Sequence, residues 1–81
     1  MRITNQGLTS ITCALDWVDP LVSFGRQAVL AIEDVEINEA KGARLPWSVV
    51  LDKLDLVGEG DTFDEAAQAF YEACKERACQ S

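Results

Sequence analysis

The residue types that could do chemistry crowd into one stretch of the chain. Asp52, Asp55, Glu59, Asp61, Asp64 and Glu65 place six carboxylates between positions 52 and 65. Paired carboxylates perform acid–base chemistry when burial drives their pKa values apart. In a calcium loop they alternate, with Gly at the sixth position, and "DKLDLVGEGD" lacks that spacing. The "GEG" within it is followed by no Gly-Lys-Ser/Thr, so no phosphate loop is expected. Thiols offer little more. Cys13, Cys74 and Cys79 occur with no histidine and no Cys-x-x-Cys pair, which leaves a zinc ion short of ligands. They read as buried or incidental thiols. A Ser or Cys nucleophile would need Lys as its base, and neither Lys41 nor Lys53 has an obvious companion. No catalytic residue, metal ligand or cofactor is expected.

A structural role accounts for the carboxylates. Thr62-Phe63-Asp64-Glu65 has the form of a capping box, in which the Thr62 hydroxyl would accept from the Glu65 amide and the Glu65 carboxylate would reach back to the Thr62 amide. Asp61, Asp64 and Glu65 would sit where the helix dipole favours anions. Beyond them Phe63, Ala66, Ala67, Phe70, Cys74 and Ala78 recur at helical spacing, so an amphipathic C-terminal helix is expected. Its alanines would let it lie close to a sheet.

The sheet must come from the preceding residues. In Thr9–Val18, Ile11, Cys13, Leu15 and Trp17 alternate with Ser10, Thr12, Ala14 and Asp16, the period of a half-buried strand. Asp19-Pro20 would end it, and Gly25 suggests a turn or bulge. Residues 28–37 read as a second strand, with a short helix as the competing reading. A bulge at Glu33-Asp34 would bring Leu30 and Ile32, then Val35 and Ile37, to the core side. "NEAKGAR" reads as a hairpin loop in which Gly42 can take positive φ. Residues 46–57 fit either a helix, with Trp47, Val50, Leu51 and Leu54 on one stripe, or a strand, with Val50, Leu54 and Leu56 on one face. The Val49-Val50 pair favours the strand. Together these predict one α+β domain over residues 1–81, a mostly antiparallel sheet of three or four strands with one C-terminal amphipathic helix packed on it.

Charge sets the class of partner. The 81 residues carry 14 acids against 7 bases, a formal charge of −7. Nucleic-acid binding needs clustered Lys and Arg, so direct binding is disfavoured. A basic surface would attract this chain and meet it faster. With 48% apolar and 26% charged residues, the composition is that of a globular domain rather than a disordered one. Neither a signal peptide nor a membrane span is expected, which places the chain in the cytosol as monomer or small homo-oligomer.

At "SVVLDKLDLVGEGDTFDEAAQAFYEA" the chain resembles antitoxins of the HicB type, through the Gly60-Asp61-Thr62-Phe63-Asp64-Glu65-Ala66 helix start. The resemblance covers about a third of the sequence. It implies a small sheet with one packed helix that neutralises a basic RNase toxin by covering it. Ser48–Val57 would be the strand before the helix. The family's Pro-Gly-Cys before the turn is replaced by Leu56-Val57-Gly58. With the sequence ending at Ser81, no counterpart of its C-terminal DNA-binding segment is expected. In style, the chain also resembles the small acidic phage inhibitors of bacterial defence, including anti-CRISPR and anti-restriction proteins, which present carboxylates where a basic groove expects phosphates.

The expected function is therefore inhibition without catalysis: docking on a basic protein of a nucleic-acid-handling complex and blocking its access to nucleic acid. An antitoxin and an oligomeric accessory protein are the alternatives. The expected contacts are Asp52, Asp55, Glu59, Asp61, Asp64, Glu72 and Glu76, with Glu33, Asp34, Glu36 and Glu39 as a second patch. Trp47, beside a loop, is expected to be the more exposed of the two tryptophans and to join the contact.

Overall fold

The computed structural model describes residues 3–22 and 30–80, with Leu21, Val22 and Gln80 described by backbone alone. Helix α1 (Asn5–Val22) comes first, followed by a 3₁₀ turn at Ile32–Asp34 and strand β1 (Glu36–Glu39). Strand β2 (Trp47–Leu51), a 3₁₀ turn at Asp52–Leu54, strand β3 (Leu56–Gly60) and helix α2 (Phe63–Gln80) complete the chain. The three strands form an antiparallel meander in the order β1-β2-β3. Helix α2 packs on one face of this sheet, and α1 packs on α2. The α+β class, the antiparallel sheet and the packed C-terminal helix are as the sequence predicts.

The strand expected over Thr9–Val18 is instead the body of α1. Two periods coincide there: Ile11 and Leu15 are four apart, so they share a face in a strand and also in a helix. The remaining residues decide between them. Gly7, Ala14 and Val18 are buried with Ile11 and Leu15, whereas Cys13 and Trp17, core residues of the alternating reading, are exposed. Thr4 caps this helix, its hydroxyl oxygen accepting from the Gly7 amide at 3.0 Å. Pro20 stands inside the last turn, so Asp19-Pro20 does not end the element. Asp19 Oδ1 accepts the Leu30 amide at 3.1 Å, tying the end of α1 to the segment that leads to the sheet.

The second expected strand begins late. Its first two residues and the expected turn at Gly25 lie outside the described residues. A 3₁₀ turn at Ile32–Asp34 does the work assigned to a bulge: Leu30 and Val35 are buried and Ile32 and Ile37 pack against the same core. Gly42 in the following loop has φ of 87°, as expected of a left-handed turn residue.

Residues 46–57 form no single strand. The chain turns at Asp52–Leu54, with Asp55 in the left-handed region at φ 55°, and returns as β3. The core face of β2 is Trp47, Val49 and Leu51, so Val50 points away from the core and does not share a buried face with Leu56. On β3 the face toward α2 is Leu56, Gly58 and Gly60. A Cβ on Gly58 would lie 2.6 Å from Phe70 Cα, and one on Gly60 2.6 Å from the Ala66 nitrogen. The two glycines let the α2 backbone settle directly on β3. Phe70 over Gly58, Ala66 over Gly60 and an Arg77 Nη1 bond to Leu54 O at 3.1 Å show that α2 runs back along β3.

Helix α2 starts as its capping residue dictates. The Glu65 amide donates to Thr62 Oγ1 at 3.2 Å, and the Ala66 amide donates to Thr62 O at 3.0 Å. Phe63, Ala66, Ala67, Phe70 and Cys74 are buried as the stripe predicts.

Candidate binding surface

All fourteen carboxylates fall within the described residues, and none is buried. Twelve are exposed; Asp19 and Asp34 are partly covered. The register decides which of them meet. Glu36 lies opposite Val50, and Leu51 opposite Leu56, so the start of β1 and the turn between β2 and β3 share one end of the sheet. Glu33, Asp34 and Glu36 therefore gather with Asp52 and Asp55, joining two patches that the sequence keeps apart. Lys53 bridges them, its Nζ 3.3 Å from Asp34 Oδ1. The carboxylate of Asp34 also accepts the Ala31 amide at 2.9 Å. That amide first, and Lys53 second, hold the Asp34 carboxyl below the usual aspartate range. Glu76 lies at this end too, beside Leu56, Ala73 and Arg77.

Other expected contacts stand elsewhere. Asp61 and Asp64 sit at the start of α2, at the opposite end of the sheet, where Thr4 donates its hydroxyl proton to Asp64 and links the two helix starts. Glu39 is at that end as well, opposite Trp47. Glu72 is on the solvent side of α2, accepting from Gln68 Nε2 at 3.1 Å. Glu59 projects from the sheet face that α2 leaves uncovered.

The tryptophans are reversed from expectation. Trp47 is only 8% exposed, its ring edge-on to Phe63 with centroids 5.7 Å apart, while Trp17 is 40% exposed. Trp47 opens β2 on the parity of Val49 and Leu51, and strand alternation turns it inward whatever loop precedes it. Trp17 falls off the buried stripe of α1 and donates Nε1–H to Tyr71 Oη at 3.1 Å.

Two surface features were not anticipated. A solvent-open groove of about 470 Å³ runs between the helices, lined by Gln6, Thr9, Ser10, Cys13, Gln68 and Tyr71. The second is the uncovered sheet face, where the register lays Glu36, Val50 and Val57 in one row and Asn38, Ser48 and Glu59 in the next. Val57 is 48% exposed. The alternation of Val57 and Glu59 with Gly58 and Gly60 was the available signal, but glycines carry no hydrophobic mark of a strand.

Cys74 is buried in the core, and burial pushes its thiol up to about 11, while Cys13 and Cys79 are exposed. No group of three thiol or carboxylate side chains among the described residues converges as metal ligands would. Nor is any helix among them long and apolar enough to cross a membrane. Comparisons with protein-family models, with curated proteins and with solved structures find no match to this chain.

Proposed function

We propose that this protein is a non-enzymatic inhibitor that docks its acidic surface on a basic, nucleic-acid-handling protein and blocks access of nucleic acid. The observation that carries this reading is the gathering of Glu33, Asp34, Glu36, Asp52 and Asp55 at one end of the sheet, with Lys53 the cation between them. Carboxylates held in water on a rigid frame give a field that speeds encounter with a cationic surface. They are not set apart by burial in the way that a working acid–base pair requires. Phage inhibition of a nucleic-acid-dependent defence system is the most concrete form of this function.

An antitoxin-like role against a small basic RNase is the second reading. It is favoured by Gly60-Asp61-Thr62, where a strand end passes into a capped helix start. A neighbouring gene for such an RNase would select it. Both readings describe a cover placed over a cationic protein.

Capture of a partner by the tagged protein, with mass spectrometry and a salt series, tests the proposal. A basic nucleic-acid-binding protein released as salt approaches ~0.5 M is expected, since screening there acts within about 4 Å. A complex indifferent to salt contradicts the charge mechanism.

A further inference from the structure

Helix α2 covers one face of the sheet, and no described element covers the other. On that open face the cross-strand register sets Val50 on the central strand with the half-exposed Val57 beside it on β3, and places Glu36 and Glu59 on the two outer strands. No Lys or Arg belongs to the two rows. Strands lie about 4.8 Å apart and rise about 3.4 Å per residue. Glu36 and Glu59 are two strands and two residues apart, so their Cα positions are separated by about 12 Å, with the valine pair beside the line between them.

That spacing describes a ligand. We infer that this face binds a basic polypeptide segment with two cationic side chains about 12 Å apart and an aliphatic side chain between them. In an extended segment, positions i, i+2 and i+4 point the same way, and i to i+4 spans about 13 Å, so Lys-x-Val-x-Lys meets the requirement. The inference rests on the proposed function and deepens it by naming the partner's chemistry and the surface it meets. Charge selects this occupant over a second copy of the chain. Each copy carries −7, and stacking two such faces would add to that repulsion with no cation from either to offset it.

The test uses the full chain, ¹⁵N-labelled, titrated with the capped peptide Ser-Lys-Ser-Val-Ser-Lys-Ser. Saturable amide shifts centred on Glu36, Asn38, Ser48, Val50, Val57 and Glu59 are expected. Replacing both peptide lysines by Glu should abolish them. The double variant E36Q/E59Q should bind about two- to thirtyfold more weakly, the range for two exposed ion pairs. Val57→Thr keeps the β-branch of the strand, leaves the helix amides in place and should still weaken binding about threefold, as loss of one methyl contact implies. Salt-sensitive shifts centred instead on Glu33, Asp34, Asp52 and Asp55 would overturn this surface and leave the proposed function standing. No saturable shift anywhere would overturn the inference, while the proposed function stands or falls by the capture and salt series. Dimerisation through Val50 and Val57, seen as concentration-dependent shifts and a doubled mass by light scattering, would assign the face to a second copy and overturn the inference.

Discussion

Gly58 of β3 lies directly beneath the backbone of Phe70 in α2, close enough that a Cβ on the glycine would come within 2.6 Å of Phe70 Cα. Neither partner can yield. Both are backbone, one held in the sheet and one in the helix. This contact sets the height of α2 above the sheet.

Gly58→Ala is therefore expected to cost about 3 kcal/mol, the upper range for forcing a methyl into a packed site, or to abolish folding. Gly42→Ala meets no atom within 4 Å. It should cost only the roughly 1–2 kcal/mol of left-handed backbone. Urea denaturation of the two variants checks the order.

Thr62→Ala removes the acceptor of the Glu65 amide at the start of α2. A loss of about 1 kcal/mol is expected. Thr62→Ser keeps the oxygen and should recover most of it, which equilibrium unfolding measures.

Asp34 gives the acid side of the stability profile its direction. Its folded carboxyl is held below the ordinary aspartate value by the Ala31 amide and by Lys53. The stability it contributes is thus present above the unfolded aspartate pKa and lost as pH falls through the lower folded value. Asp34→Asn should be the less stable protein near neutrality, and the gap should close on acidification below the unfolded aspartate pKa. Thermal melts of both proteins across that range measure it.

Thiol chemistry should divide the cysteines. Cys74 is buried with its thiol pushed up to about 11, so little thiolate forms and no reagent reaches it. Cys13 and Cys79 are expected to react with a disulfide reagent in the native protein, and Cys74 only on unfolding. Stopped-flow labelling followed by mass mapping distinguishes them.

How much of this could be read from residues alone differs by element. Helix α2 was legible because cap, dipole charges and apolar stripe all point the same way. Helix α1 was not, because Ile11 and Leu15 satisfy two periods and the β-branched Thr and Ile around them favour strand. The deciding stripe passes through Gly7 and Ala14, which add little hydrophobic signal. In β3 the residues facing α2 include two glycines, selected for what they lack. Trp47 follows a polar loop, a context that suggests exposure, but its parity with Val49 and Leu51 turns it inward. The acids read as surface groups, and all are exposed or only partly covered. Their grouping was hidden, since it depends on the β2–β3 turn and on the β1 register, neither of which a single strand over 46–57 contains.

In the proposed function charge does the work, and no bond-making group takes part. Parallel capture with the wild-type protein and with D52K/D55K tests it most directly, followed by association kinetics for the partner retained. Expected is a basic, nucleic-acid-handling partner whose association slows steeply on charge reversal and with added salt, while dissociation changes less. The same partner captured equally well by both proteins, at a rate insensitive to salt, would contradict it.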